Sequence, residues 1–264
     1  MAIPTYLGGR SLPSYRHDLL ETSLFAAPKR KRISALVCAA VAAMTLTAGL
    51  VNSSLTANAA NCENVSTAGV EGAQSKLMGS GFWLDAVDGI WGPNTQQAIY
   101  AFQKYQGMAR TGCADAATVQ AISSFNEPLT TPAGAPVTGA TVDQTRQLLF
   151  VTDGGAVEWV FNTSTGDQVP WMEGSYSGTS ITPNGEFTIN RAIDAMHSST
   201  LGLGSMYRPR YFATGGYAVH GSSSVPPYAA SHGCVRVSND AMDFIWAQNL
   251  LPMGANLNVS GSPA

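Results

Sequence analysis

The chain has 264 residues, enough for one large domain or two modest ones with real cores. Only 12% of them are charged, while Gly, Ser, Thr, Ala and Pro abound, which suits an exported β-rich protein better than a cytosolic helical one. The net charge of -3 is uneven: residues 1–60 carry +4 and the remainder -7, and an acidic body without a basic stripe argues against nucleic acid as partner.

Residues 1–59 read as an N-terminal extension with a secretory signal. The cluster Lys29-Arg30-Lys31-Arg32 precedes the uncharged run 33–51, and Ala57-Asn58-Ala59 supplies a small-x-small cleavage pattern. As a helix the apolar run would reach roughly 28 Å, nearly a bilayer core. An uncleaved anchor with its N-terminus inside is therefore the alternative, and the only expected membrane contact. Either way, the chain from about residue 60 acts outside the cytoplasm. Cys38 falls in the leader. Cys62 and Cys113 bracket a compact segment that an oxidising compartment would favour bridging, worth roughly 4 kcal/mol. Cys234 is then the odd thiol.

Residues 60–125 read as a small helical domain. Val70, Ala73 and Leu77 share one helix face, which ends at Gly79-Ser80-Gly81. Pro93 stands at a first-turn position, and Ala98, Phe102 and Tyr105 form the next stripe before Gly107. Asp115 caps a third helix carrying Val119 and Ile122. Through VDGIWGPNTQQAIYAFQ, residues 87–103, this segment resembles the peptidoglycan-binding type 1 domain over about residues 66–122. Trp83, Trp91 and Phe102 are open to either a core or a wall-contact role.

Residues 126–140, a Pro/Thr/Ala/Gly stretch, read as a flexible linker, and 141–264 as a mainly β domain. Strand-like runs fall at 147–152 and 158–161, joined by Asp153-Gly154-Gly155, and at 186–189, 211–213, 217–220, 235–237 and 257–259. One late helix, capped by Ser238 or Asn239, places Met242, Ile245 and Trp246 on one face. The fold class is a β-sandwich or barrel with that helix, preceded by the three-helix all-α domain.

The stretch AVHGSSSVPPYAASHGCVRVS, residues 218–238, holds the remaining thiol. His220, His232 and Cys234 match no short-spaced zinc pattern. An inert or intermolecularly bridged cysteine is a second reading, although Gly233 before it and Arg236 after it suit an exposed turn. The third is a nucleophile. A free thiol is only about 3% thiolate at pH 7, so a partner histidine would have to lower its pKa, and amides near Gly233 would have to receive the oxyanion.

His220-Gly221, Ser231-His232-Gly233-Cys234 and Val235-Arg236 resemble the signature of the L,D-transpeptidase (YkuD) catalytic domain, as do TPNGEFTI at 182–189 and STGD at 164–167. The resemblance implies a cofactor-free, metal-free acyltransferase. Such enzymes cleave a peptidoglycan tetrapeptide stem before its terminal D-Ala, form a cysteine thioester, and pass the acyl group to another stem's amine. It implies Cys234 as nucleophile and His220 as base, with Gly221 orienting the imidazole through its backbone. The amides of His232, Gly233 and Cys234 are the expected oxyanion hole, and Arg236 the holder of an anionic donor group. Gly221, Ser231 and Tyr217 are further expected substrate contacts, Tyr217 and Tyr211 having core packing as the alternative. His232, two residues before the thiol, is the rival base. His197, in the polar MHSST stretch, reads as an ordinary surface histidine. The expected partners are stem peptides and glycan, and the expected state is a monomer. Hydrolysis of the same thioester, by a carboxypeptidase or endopeptidase, and non-catalytic wall binding are the alternative functions.

Overall fold

The structure is a computed structural model that describes residues 66–263. The leader and Cys62, with the expected Cys62–Cys113 bridge, lie outside the described residues. Three helices come first: α1 (Thr67–Gly79), α2 (Pro93–Tyr105) and α3 (Ala116–Ser124). Each starts for a local reason. Ser66 accepts from the Gly69 amide, Pro93 occupies the first turn of α2, and Asp115 accepts from the Thr118 amide.

The strands follow as β1 (Gly139–Asp143), β2 (Leu148–Asp153), β3 (Ala156–Asn162), β4 (Pro170–Glu173), β5 (Tyr176–Thr179), β6 (Gly185–Thr188), β7 (Arg191–Ala192), β8 (Met196–Ser198), β9 (Ser205–Ala213), β10 (Tyr217–Ser222) and β11 (Val235–Ser238). The late helix α4 (Asn239–Ala247) and β12 (Asn256–Ser260) complete the domain. One sheet runs β3-β2-β1-β12-β6 and the other β11-β10-β9-β7, with β8 beside β9. Strands β4 and β5 form a separate hairpin.

The two sheets and α4 enclose one core, built from Ala140, Val142, Leu149, Val151, Leu257 and Val259 on one side and Phe212, Val219, Val235 and Val237 on the other. Mainly β with one late helix is thus the architecture. Strand β2 is apolar on both faces. Leu149 and Val151 point into the sandwich, while Leu148 and Phe150 point outward into a second core with Leu77, Phe82, Ile99, Phe102 and Ile122 of the helical segment.

The helical segment also extends a sheet. Residues 81–83 lie along β3: the Trp83 amide donates to Val160 O at 2.9 Å and the Val160 amide to Gly81 O at 2.8 Å. Trp83 stacks on Phe161 inside the sandwich core, and Phe102 is fully buried; Trp91 is half-buried against the helices. Lys104 of α2 is buried to 2% exposure, with Nζ donating to Gln147 O at 2.8 Å, Thr163 O at 2.9 Å and Asn162 Oδ1. The stretch read as a free linker is pinned to the β domain instead. Asn258 Nδ2 donates to Gly134 O, Thr152 Oγ1 to Pro136 O and the Gly155 amide to Val137 O. Among the described residues no helix is long and apolar enough to cross a membrane.

Candidate active site

Strands β10 and β11 run parallel, with Val219 opposite Val235 and His220 opposite Arg236. Paired residues project to the same side, as do residues two apart along one strand. The valines enter the core, so His220, Cys234 and Arg236 fall on the other face, where they line one cleft of about 390 Å³.

Strand β9 supplies the adjoining wall by means of a bulge. Between the pairs Val219–Arg210 and Gly221–Tyr207, β9 carries one residue more than β10, and Arg208 adopts φ 50°. The bulge resets the alternation, so that Met206 and Tyr211, an odd number of residues apart, both face the cleft. Arg208 is fixed there by Asp194 and Asp243, each at 2.6 Å.

His220 is 4% exposed, and its Nδ1 lies 2.8 Å from Gly221 O. A carbonyl can only accept, so Nδ1 carries the hydrogen and Nε2 is the basic nitrogen of the neutral ring. Burial depresses the pKa of this imidazole to about 4; the Gly221 bond opposes that shift and the Arg236 charge adds to it. The half-buried Cys234 places Sγ 3.7 Å from Gly216 O and 4.0 Å from Met206 Sδ. Burial pushes its thiol up, against the Ala218 amide and the Arg236 charge, which pull it down. The expected lowering of the thiol pKa toward neutrality is therefore not what the resting site favours. Dehydration outweighs both attractive contributions, so the cleft holds the thiol and the imidazole each as a neutral group.

Gly233 adopts φ 129°, and a Cβ there would lie 2.7 Å from Tyr217 Cε1 and 2.8 Å from Ile181 O. Its amide donates to Ser231 Oγ at 3.0 Å, and Ser231 Oγ donates to Cys234 O at 2.5 Å. The Gly233 N–H is thereby engaged, contrary to its expected part in an oxyanion hole. Ser231 lines the cleft, but its hydroxyl is committed to bracing this turn rather than free for substrate. Gly221 also departs from a substrate-contact role. It faces α4, where a Cβ would come 2.8 Å from Asn239 Oδ1 and 3.1 Å from Met242 Cβ, and it reaches the site only through its carbonyl.

Tyr217 lines the cleft with its ring against Gly233. Arg236 also lines it; Nη1 donates to Ala230 O at 3.1 Å, and burial lowers its pKa against the Cys234 and Asp167 charges. His232 is exposed at the cleft rim, its ring edge-on to Trp171 at 6.2 Å. His197 is not the surface residue that its polar surroundings suggest. It sits on β8, half-buried, lining the cleft edge-on to Tyr211 at 6.2 Å. Sequence reading also missed Met206, Trp171 and Arg191 as cleft residues. The β9 bulge, the β4–β5 hairpin and the pairing of β7 with β9 that place them carry no signal in the sequence. The loop 223–230 is held from outside: Arg110 Nη1 donates to Pro227 O, Gln97 Nε2 to Val225 O and Ser164 Oγ to Tyr228 O. Among the described residues no group of three His, Cys, Asp or Glu side chains is placed to hold a metal ion.

Comparison with known proteins follows this division of the chain. Residues 138–259 match the YkuD family model, described as the L,D-transpeptidase catalytic domain, and residues 66–122 match a peptidoglycan binding domain model. The crystal structure of an L,D-transpeptidase (residues 123–326) from Xylanimonas cellulosilytica is 39% identical, with 72% of this chain and 92% of that one covered and a TM-score of 0.67. An L,D-transpeptidase from Stackebrandtia nassauensis is 21% identical over 73% of this chain and 91% of its own, with a TM-score of 0.41. One from Mycobacterium smegmatis is 19% identical over 46% and 58%, with a TM-score of 0.37. No curated protein sequence matches the chain at the same stringency.

Proposed function

Since this chain belongs to the L,D-transpeptidase family and carries a peptidoglycan-binding module ahead of its catalytic domain, we propose that it cross-links peptidoglycan outside the cytoplasm through a thioester on Cys234. The observation that carries the reading is the shared cleft of Cys234 and His220, with Nδ1 tied to the Gly221 carbonyl so that Nε2 is left as base.

The reaction starts from neutral partners. As Sγ attacks the carbonyl before the terminal D-Ala of a tetrapeptide stem, Nε2 takes the thiol proton, so no resident thiolate is required. The developing oxyanion is received by the amides of His232 and Cys234, the Gly233 amide being engaged by Ser231. Collapse of the adduct breaks the C–N bond, and the imidazolium returns its proton to the departing D-Ala amine. An amine of a second stem then attacks the thioester, Nε2 removes its proton, and the thiol is regenerated with the new amide bond. Arg236 binds an anionic group of the donor stem.

The test is to incubate the protein with tetrapeptide-containing wall fragments and analyse the products by mass spectrometry. Cross-linked dimers and a thioester adduct absent from Cys234→Ala are the expected result. Tripeptide without dimer would replace transfer by hydrolysis, and turnover retained in Cys234→Ala would overturn the cysteine mechanism.

A further inference from the structure

The cleft contains two arginines, and the reaction so far uses one. Arg191, on β7, is the direct cross-strand partner of Tyr211 on β9, and its guanidinium lies over that ring, 4.9 Å from the centroid. It lines the same cleft as Cys234 yet remains exposed. Among the described residues it has no ion-pair partner. Asp194, three residues further on, is taken by Arg208 at 2.6 Å. No aspartate or glutamate lines the cleft, although acidic residues outnumber basic ones in the chain. Tyr211 itself lines the cleft. Burial is the main cause that raises its phenol pKa, which the Arg191 charge then lowers and the Cys234 charge raises, so the ring is within electrostatic reach of both. On the same wall, the His197 ring meets Tyr211 edge-on.

A guanidinium held over an aromatic face is partly fixed before it binds, so its forked N–H groups lose less freedom when they take up a planar anion. With no acid in the cleft lining, that cation is left without a carboxylate partner there. We propose that Arg191, seated on Tyr211 beside His197, is an anion subsite, distinct from Arg236, that binds a free carboxylate of a peptidoglycan stem peptide. The inference rests on stem peptides occupying this cleft, and it holds whether that carboxylate belongs to the acyl donor or to the acceptor.

The test uses binding, so that it does not depend on the chemistry. In the Cys234→Ala protein, calorimetric titration compares donor-type and acceptor-type stems, each with free carboxylates and with those carboxylates amidated. At least one free-acid stem is expected to bind about tenfold more tightly than its amide, near the lower end of what a charge-assisted hydrogen bond gives. Arg191→Gln should remove that preference, and Arg191→Lys should restore most of it. The stem that shows the effect identifies the source of the carboxylate. Equal affinity for acid and amide forms, or a preference untouched by Arg191→Gln, would overturn the subsite. Separately, a wild-type protein that forms no thioester would overturn the transpeptidase reading and leave the binding result standing on its own.

Discussion

Dehydration governs the two groups on which the proposed chemistry depends. His220 is held neutral because its charged form would be stranded beneath the cleft, and its pKa of about 4 against the ordinary 6.5 has a consequence for stability. The unfolded chain takes up the imidazole proton as pH falls below 6.5, whereas the folded protein resists until about 4. The stabilisation is therefore complete above 6.5, drains away between 6.5 and 4, and amounts to roughly 3 kcal/mol over that window. Urea unfolding at pH 7 and pH 4.5 should show this loss in the wild type and a smaller loss in His220→Asn. Equal losses would mean that the ring is not buried as a neutral base. The residue types of this site were readable from HG and SHGCVR, because nucleophile, base and turn glycine sit in one short stretch. Their protonation was not, because it depends on how much water the fold removes.

At the level of elements, α2 acts as a bolt. Lys104 gives its three hydrogens to Gln147 O, Thr163 O and Asn162 Oδ1; Asn162 Nδ2 in turn donates to Val225 O and Thr163 Oγ1 to Arg236 O. One ammonium thus reaches, at two removes, both the loop beside the cleft and the strand that carries Arg236. Lys104→Met should cost about 3 kcal/mol, since buried acceptors lose their donor. It should also speed amide hydrogen exchange through 223–230, measurable by mass spectrometry. Unchanged exchange there would confine the role of Lys104 to stability. Nothing in AFQKYQG marks that lysine as buried, since a charged residue on an amphipathic helix ordinarily faces water. Helix α1 was legible from its Val70-Ala73-Leu77 face, and α2, α3 and α4 from Pro93, Asp115 and Ser238 at their starts. The β4–β5 hairpin was not, because β5 is exposed along its length and β4 nearly so, leaving no inward-outward alternation to read.

On the scale of the whole molecule, the helical and β segments share a core across β2 and β3. The unbroken Leu148-Leu149-Phe150-Val151 run was the sequence signal for this, since a strand covered on both faces needs no polar alternation. The Pro/Thr/Gly composition of 126–140 pointed instead to independent modules, because composition cannot reveal that a segment is pinned along its length. Residues 66–264 should accordingly melt in a single calorimetric transition. Residues 138–264 alone should lose cooperativity or precipitate, with Phe150 and Val160 left uncovered. Two separable transitions in the longer protein would contradict the shared core.

The short run 81–83 bonded along β3 carries a further consequence, for how such a protein can diversify. A recombination event that replaced the wall-recognition segment by a foreign one would strip a ribbon from the sheet along with the recognition surface. Any newcomer would have to bring its own three-residue splice and an aromatic plug for the pocket that Trp83 fills. Remodelling the exposed helix faces in place would leave both the ribbon and the plug intact, whereas exchange of the whole module would not.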